Sequence, residues 1–345
     1  MAELTAPELS KGSRFQLSKG LLTVLVSTVF LFAISAVVAP TSVAPGTLSS
    51  MFPFAAILAI VGLGQMLVIQ QAGIDLSVAG SVSLAAVIVT AYPLGNNAKL
   101  IPALVIAFAV AIAVGLLNGF LIGFVKLNPI IATLGTNSLL YGVVIFISQG
   151  IPRHTTSHLE AAVTGQVFGV PNSVLFAIAT LLVVIFFLRK TVAGRRFESI
   201  GSSPSVANVA GLRVRVHHGL AYLWAQVLYT LAGVLIAGVI SEPNSSMGDP
   251  YLLPSVAVVV LGGTSLLGGR GLPTATALAA VFLSQLDQFV LALGVNFAIR
   301  TLVQAIALAI GVAIYTVDWS LTRTVIRKLL RSLGSRQNQA SLPLA

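Results

Sequence analysis

The chain is almost continuously apolar, and short polar passages divide it into segments. Segments near 20 apolar residues match the hydrocarbon thickness of a bilayer and read as membrane-spanning helices. On that basis spans are predicted at 20–39 (ending before Pro40), 54–69, 78–94 and 100–125. A fifth begins at Pro129, a favourable first-turn position, and the rest lie at 171–188, 219–240, 251–267, 273–293 and 296–317. The expected fold class is an all-α polytopic membrane protein with about ten transmembrane helices. The second and third spans fall short of a full crossing, so the junction 70–77 is either re-entrant, inside the membrane's depth, or a turn at the cytoplasmic surface.

The longest polar passage inside this pattern is 189–218, with Arg189, Lys190, Arg195, Arg196, Arg213 and Arg215 against one acid, Glu198. The excess of positive charge predicts a cytoplasmic location. Its middle, 198–212, mixes small residues with helix formers around Pro204 and predicts one short exposed helix, with Gly201 before it and Gly211 closing it. Spacing alone leaves two readings: a solvated basic loop that fixes topology, or a docking helix for a cytoplasmic partner. The passage 150–170 and the loop carrying Glu242 and Asp249 are predicted outside. Of the 19 Lys and Arg residues, only Lys99, Arg153 and Arg300 then fall outside or near the outer face. Three parts follow: a cytoplasmic N-terminal tail (1–19), a transmembrane domain (20–318) containing the loop at 189–218, and a basic cytoplasmic C-terminal tail (319–345). The first apolar segment is read as a retained span, not a signal peptide.

Composition narrows the class. With 57% hydrophobic and 8% charged residues, the chain has too little polar surface to clothe a soluble globule of 345 residues. The net charge of +10 does not indicate nucleic acid, because the cations sit at the ends of apolar segments and form no continuous face. Zero cysteines exclude disulfides and thiolate metal sites.

No Gly-Lys dipeptide occurs, so a nucleotide-gripping Gly-x-x-x-x-Gly-Lys-Ser/Thr loop cannot form. Nor is there a Gly-x-Ser-x-Gly elbow or a His-Glu-x-x-His, and no catalytic residue is assigned. His154 and His158 have a helical metal-ligand spacing with Glu160 nearby, but a hydrated loop pair accounts for them and no metal is assigned. His217 and His218 read as residues of the membrane edge. Polar groups inside spans are the better guide, because they persist in hydrocarbon only when paired or functional. Asp75 either caps the third span or lines a pathway, and both roles are compatible. Gln65, Asn118, Asn137 and Gln226 either face the translocation pathway or tie helices together. Asp287 and Arg300 are predicted to pair. The glycines between 262 and 271 allow close backbone approach at the junction of spans eight and nine; a phosphate cradle is the weaker rival, since Arg270 is its only cation.

Several ordered stretches carry a resemblance. GRRFESIGSSPSVANVAGLRV resembles the cytoplasmic coupling loop of ATP-binding-cassette importer permeases of the ribose/xylose/arabinose type. AGIDLSVAGS (72–81), NGFLIGFVKLNPIIATLGT (118–136), VVLGGTSLLGGRG (259–271) and the closing TVDW are similar to the same family, in the family's order. One departure is visible: the family's Asn-Xaa-Xaa-Ala-Ala run is replaced by Ser203, Pro204, Ser205, Val206, Ala207 and Asn208. The resemblance implies an ABC importer permease fold in the bacterial inner (cytoplasmic) membrane, with both termini inside. It implies import of a monosaccharide or related small polar solute by alternating access. The implied partners are cassette ATPase subunits, an extracytoplasmic solute-binding protein, and a second permease copy or a related permease within membrane lipid. No cofactor is implied on this chain, ATP and Mg being bound by the partner ATPase. Arg196, Glu198, Gly201, Ala207 and Gly211 are the implied ATPase-coupling residues, with Gly201, Ala207 and Gly211 small enough for a partner surface to approach. Permeases for branched-chain amino acids or nucleosides are the nearer alternative, and an ion-coupled secondary transporter the more distant one.

Overall fold

The structure, a computed structural model, describes residues 19–296 and, beyond them, 298, 299, 301–303, 305, 306 and 309. In chain order the helices are α1 (Lys19–Val38), α2 (Pro45–Gln70), α3 (Val78–Ala91), α4 (Leu100–Gly123), α5 (Pro129–Ser148), α6 (Ser157–Thr164), α7 (Asn172–Lys190), α8 (Val192–Ser202), α9 (Pro204–Val209), α10 (Val214–Ile240), α11 (Leu252–Leu261) and α12 (Pro273–Ala292). Among the described residues seven of these, α1, α2, α4, α5, α7, α10 and α12, are long and apolar enough to cross a membrane. A small hairpin, β1 (Gln166–Val167) and β2 (Val170–Pro171), follows α6, with Phe168 and Gly169 at positive φ in its turn.

Each of the first nine predicted spans has its helix, and the tenth, 296–317, lies for the most part outside the described residues. So does the predicted Asp287–Arg300 pair, because Arg300 is not described. Four boundaries differ from expectation. The second span starts at Pro45, nine residues before the predicted 54, with the proline at the favourable first-turn position and Leu48 N donating to the Ala44 carbonyl (2.9 Å). The seventh starts at Val214 and carries His217 and His218 in its first turns. The third and eighth are half-helices: α3 has 14 residues and α11 only 10. At 1.5 Å per residue they reach about 21 and about 15 Å, against the about 30 Å of a hydrocarbon core.

Two helices form the interior. Every residue of α2 from Ala55 to Gln70, and of α3 from Val78 to Thr90, is buried, as expected of helices apolar on all sides. Around them, α4 and α10 run antiparallel in close contact. Small residues recur at every fourth position of α4 (Ala103, Ala107, Ala111, Gly115, Gly119, Gly123) and are buried. A Cβ on Gly119 would stand only 2.7 Å from the carbonyl oxygen of Gly219. Such approach replaces the hydrophobic drive that lipid does not supply between helices. In contrast, α1, α5 and α7 expose large apolar side chains such as Phe30, Phe146 and Phe186, which are suited to lipid.

Candidate functional site

The two half-helices mark two interruptions in the bundle, and the polar residues singled out in the sequence gather at the first. After α2 the chain runs back through 71–77 toward the bundle's interior, so that Asp75 comes level with Gln65, over a helical turn inside the end of α2. A helix starting there exposes backbone N–H groups with no water to satisfy them. Side chains supply the acceptors. Leu76 N donates to Thr133 Oγ1 (2.9 Å), Ser77 N to Asp75 Oδ1 (2.9 Å) and Gly80 N to Asn137 Oδ1 (2.8 Å).

A second layer holds those acceptors. Ser77 Oγ donates to Asp75 Oδ1 (2.5 Å), while Gln226 Nε2 donates to Asp75 Oδ2 (3.2 Å) and Ser77 Oγ (2.7 Å). Ser81 Oγ donates to Gln226 Oε1 (2.5 Å), Asn118 Nδ2 to Ser77 Oγ (3.1 Å) and Thr136 Oγ1 to Asn118 Oδ1 (2.6 Å). With the Gln65 amide oriented by its neighbours, its nitrogen donates to Tyr229 Oη (2.7 Å) and the Asp75 carbonyl (3.1 Å). Its oxygen then accepts from Asp75 N (3.2 Å). Asp75 therefore caps the approach to α3 through Ser77, and α2, α4, α5 and α10 each contribute to one closed network.

Gln65, Asp75, Asn118 and Gln226 are at most 1% exposed, and Asn137 spends its side-chain oxygen on Gly80. This placement ties helices together inside the subunit, one of the two roles that buried amides between spans can serve. Ser77, Ser81, Thr133, Thr136 and Tyr229 belong to the same network and were not singled out from the sequence. The signal for them was present: small hydroxyls at helical spacing on neighbouring apolar spans, next to amides.

The second interruption joins α11 to α12 through 262–272, and it lies at the end of the bundle that carries α8 and α9. Gly263, Gly268 and Gly269 have φ of +83°, +87° and +109°, which only glycine adopts without strain. Gly269 N donates to the carbonyl of Gln70 (3.0 Å), the last residue of α2. Arg189 Nη2 donates to the Gly271 carbonyl (3.2 Å). Glu198, on α8, lies between Arg270 (3.3 Å) and Arg189 (3.6 Å). Gln71 Nε2 donates to the Phe197 carbonyl (2.8 Å). One clasp thus joins α8, the end of α2 and the glycine-rich turn.

The loop 189–218 differs from the single helix expected. Two helices occupy it, and Gly201 sits in the last turn of α8, packed so tightly on the Gln70 carbonyl that a Cβ has no room. Ala207 is likewise buried. In this chain the smallness of Gly201 and Ala207 serves internal contacts, Gly201 on the end of α2 and Ala207 in the interior of the loop. Arg196 is exposed. Gly211, at φ +79°, closes α9 as expected, with Leu212 N donating to Ala207 O and Gly211 N to Asn208 O (both 3.0 Å). What α9 presents outward is Val206 (67% exposed) and Val209 (90% exposed). At the opposite end His154 Nε2 meets Glu242 Oε1 at 2.6 Å, and no cluster of metal-ligating residues occurs among the described residues.

The described residues form a helical, multi-pass membrane protein with two interrupted helices and a projecting loop. The comparisons with known proteins say which kind: the chain belongs to the family described as "Branched-chain amino acid transport system / permease component", which it matches over residues 47–317. It is a permease subunit and not an enzyme. It is 32% identical over 277 residues to the probable ABC transporter permease protein y4mJ of Sinorhizobium fredii, covering 80% of this chain and 83% of that one. It is 29% identical to the ribose import permease protein RbsC of Bacillus subtilis (82% and 88% covered). It is 31% identical to the autoinducer 2 import system permease protein LsrC of an Enterobacter species (77% and 78%). No solved structure matches the chain.

Proposed function

We propose that this chain is the membrane subunit of an ATP-driven importer for a monosaccharide or a related small polar solute. The end bearing α8 and α9 faces the cytoplasm of a bacterial inner membrane, as do both termini, and α9 docks into a cassette ATPase. An extracytoplasmic binding protein delivers solute at the opposite end, and a second permease completes the pathway. ATP and Mg are handled by the ATPase.

The observation that carries this reading is α9 itself. It is a short helix with a closed C-terminus that leaves Val206 and Val209 exposed beside the basic residues of the loop, in a chain with no nucleotide-gripping motif. Val206 and Val209, three residues apart, share one face of α9 that the other described residues leave uncovered. The relatives named for ribose and autoinducer 2 favour a sugar-like solute; the family description favours a branched-chain amino acid as the second reading. The test is uptake of labelled D-ribose and L-leucine into proteoliposomes holding the permease with a cassette ATPase and a binding protein from the same genome. Sugar uptake that requires ATP is expected. Uptake driven by an ion gradient with no ATPase, or of leucine alone, contradicts the reading.

A further inference from the structure

The seam between α4 and α10 ends in a cationic mouth. A Cβ on Gly115 would stand 2.6 Å from Leu223 Cα and one on Gly123 2.6 Å from the Arg215 carbonyl oxygen, so the two backbones touch along the seam to its end. Both helices are long and apolar enough to cross a membrane. The end of α4 and the start of α10 therefore meet at one membrane surface, on the side that carries α8 and α9. Past Gly123 the chain folds back on itself: Val125 N donates to the Phe120 carbonyl (3.1 Å) and Leu127 N to the Leu121 carbonyl (3.0 Å). This holds Lys126 over the last turn of α4, beside Arg215 and Arg213, and all three side chains are exposed.

Two features set this mouth apart from a plain topology signal. Lys126 has φ +63°, a conformation that glycine adopts freely and residues with a side chain rarely adopt. A backbone outlier of this kind points to a use for the side chain. The second feature is an apolar wall below the cations. Leu116 and Phe120, each next in sequence to a seam glycine, are exposed on α4, Phe120 stacks on Phe124 with centroids 6.1 Å apart, and Val216 is exposed on α10. An excess of cations on one side serves orientation, but orientation needs neither a left-handed lysine nor a fold-back over the seam.

We propose that this mouth binds an anionic phospholipid, its phosphate between Lys126 and Arg215 and one acyl chain along Leu116, Phe120 and Val216. Basic pockets between spans at a membrane surface suit such headgroups. A free phosphate would use the cations and leave the apolar wall without a role. The lipid pins the first turn of α10, and residues 210–213 alone separate that turn from α9. The same contact thereby steadies the projecting loop against the membrane.

The test uses the full-length protein in dodecyl maltoside micelles, with the melting transition followed as lipid is added. Palmitoyl-oleoyl phosphatidylglycerol is the probe; phosphatidylcholine with the same chains, glycerol 3-phosphate and inorganic phosphate are the counter-probes. Phosphatidylglycerol is expected to raise the transition at concentrations where none of the other three does. Lys126→Gly is expected to melt no lower than the native chain without lipid, because glycine takes this φ freely. It should nevertheless need about fivefold more phosphatidylglycerol for the same rise, the worth of one cation at a membrane surface. Arg215→Gln should need about fivefold more as well, while Lys190→Gln, which removes an exposed cation at the end of α7, should respond as the native chain does. The proposal is overturned if phosphatidylcholine acts as well, if either phosphate reproduces the rise, if Lys126→Gly responds like the native chain, or if Lys190→Gln loses as much. It is also overturned if Lys126→Gly melts far below the native chain without lipid, since the lysine is then structural. The assay contains no ATP, ATPase or solute, so its failure leaves the importer reading standing, and failure of ATP-dependent uptake leaves the lipid site standing.

Discussion

The two interrupted regions of this bundle solve the same problem with different chemistry. At 71–77 the amides of Leu76, Ser77 and Gly80 are met by the side chains of Thr133, Asp75 and Asn137, and Gln65, Asp75, Ser77, Asn118 and Gln226 in the network behind them are buried. At 262–272 the backbone bends through glycines at positive φ and is held by half-exposed ions, Glu198 between Arg189 and Arg270. A buried, fully satisfied polar network is rigid because each loosened bond leaves a donor or acceptor without water. A solvent-accessible ion cluster on glycine hinges exchanges partners at little cost. Under the proposed function the first interruption is the fixed frame and the second the moving part, in contact with the loop proposed to dock the ATPase.

The largest effect is expected at the fixed frame. Asp75→Leu removes the acceptor of Ser77 N, Ser77 Oγ and Gln226 Nε2 at once, and each buried group left unpaired costs about 1–3 kcal/mol. Failure to accumulate, or a collapse of the thermal transition in detergent, is expected. Asp75→Asn keeps an acceptor and is expected to fold with a loss of about 1–2 kcal/mol. Equal, near-normal melting of both variants breaks the comparison.

Next is the joint between the two regions. Gly201→Ala places a methyl against the Gln70 carbonyl, where backbone must shift; overpacking of this kind costs about 1–3 kcal/mol. The melting transition should fall accordingly, and ATPase association should weaken with it because α8 is displaced. An unchanged transition shows that the contact between α8 and α2 is loose. Glu198→Gln should cost less than about 1 kcal/mol, since the pair is partly exposed and screened. Its signature is functional: the ATPase still binds, but hydrolysis no longer responds to solute-loaded binding protein. Retained stimulation removes Glu198 from the coupling path.

The smallest effect on stability is expected from Val209→Ser, within about 0.5 kcal/mol, because the side chain touches nothing that the fold needs. Its effect on ATPase association should be the clearest of any variant named here. Bulk at Ala207 is the wrong probe for docking, because that side chain is buried and a large residue there disrupts α9 itself.

The spans were legible because length and apolarity alone decide them, and Asp75 stood out because an acid between short apolar runs has to be accommodated. The closure of α9 at Gly211 was legible from turn chemistry. The partner of Asp75 was not: Gln226 is 151 residues away, and nothing local marks which helix delivers it. The half-length of α11 was masked because apolar residues continue through Leu266 and Leu267, although the glycines at 262, 263, 268 and 269 were the cue that the helix had ended. The inward turn of Gly201 and Ala207 was hidden for a different reason. Small residues suit close approach equally well from inside the chain or from outside it, and only the packing of α8 and α9 on the bundle decides between the two.

The central claim is that the glycine-rich turn moves with the docking loop while α3 and the helices tied to it stay fixed. Spin labels on cysteines introduced at Val209, Leu267 and Leu139, all exposed, test it by pulsed electron paramagnetic resonance distances in the assembled transporter, with and without ATP. The account predicts that the Val209–Leu267 distance is unchanged by ATP while the Leu267–Leu139 distance shifts. A shift between Val209 and Leu267, or a fixed distance between Leu267 and Leu139 in a transporter that hydrolyses ATP, contradicts it.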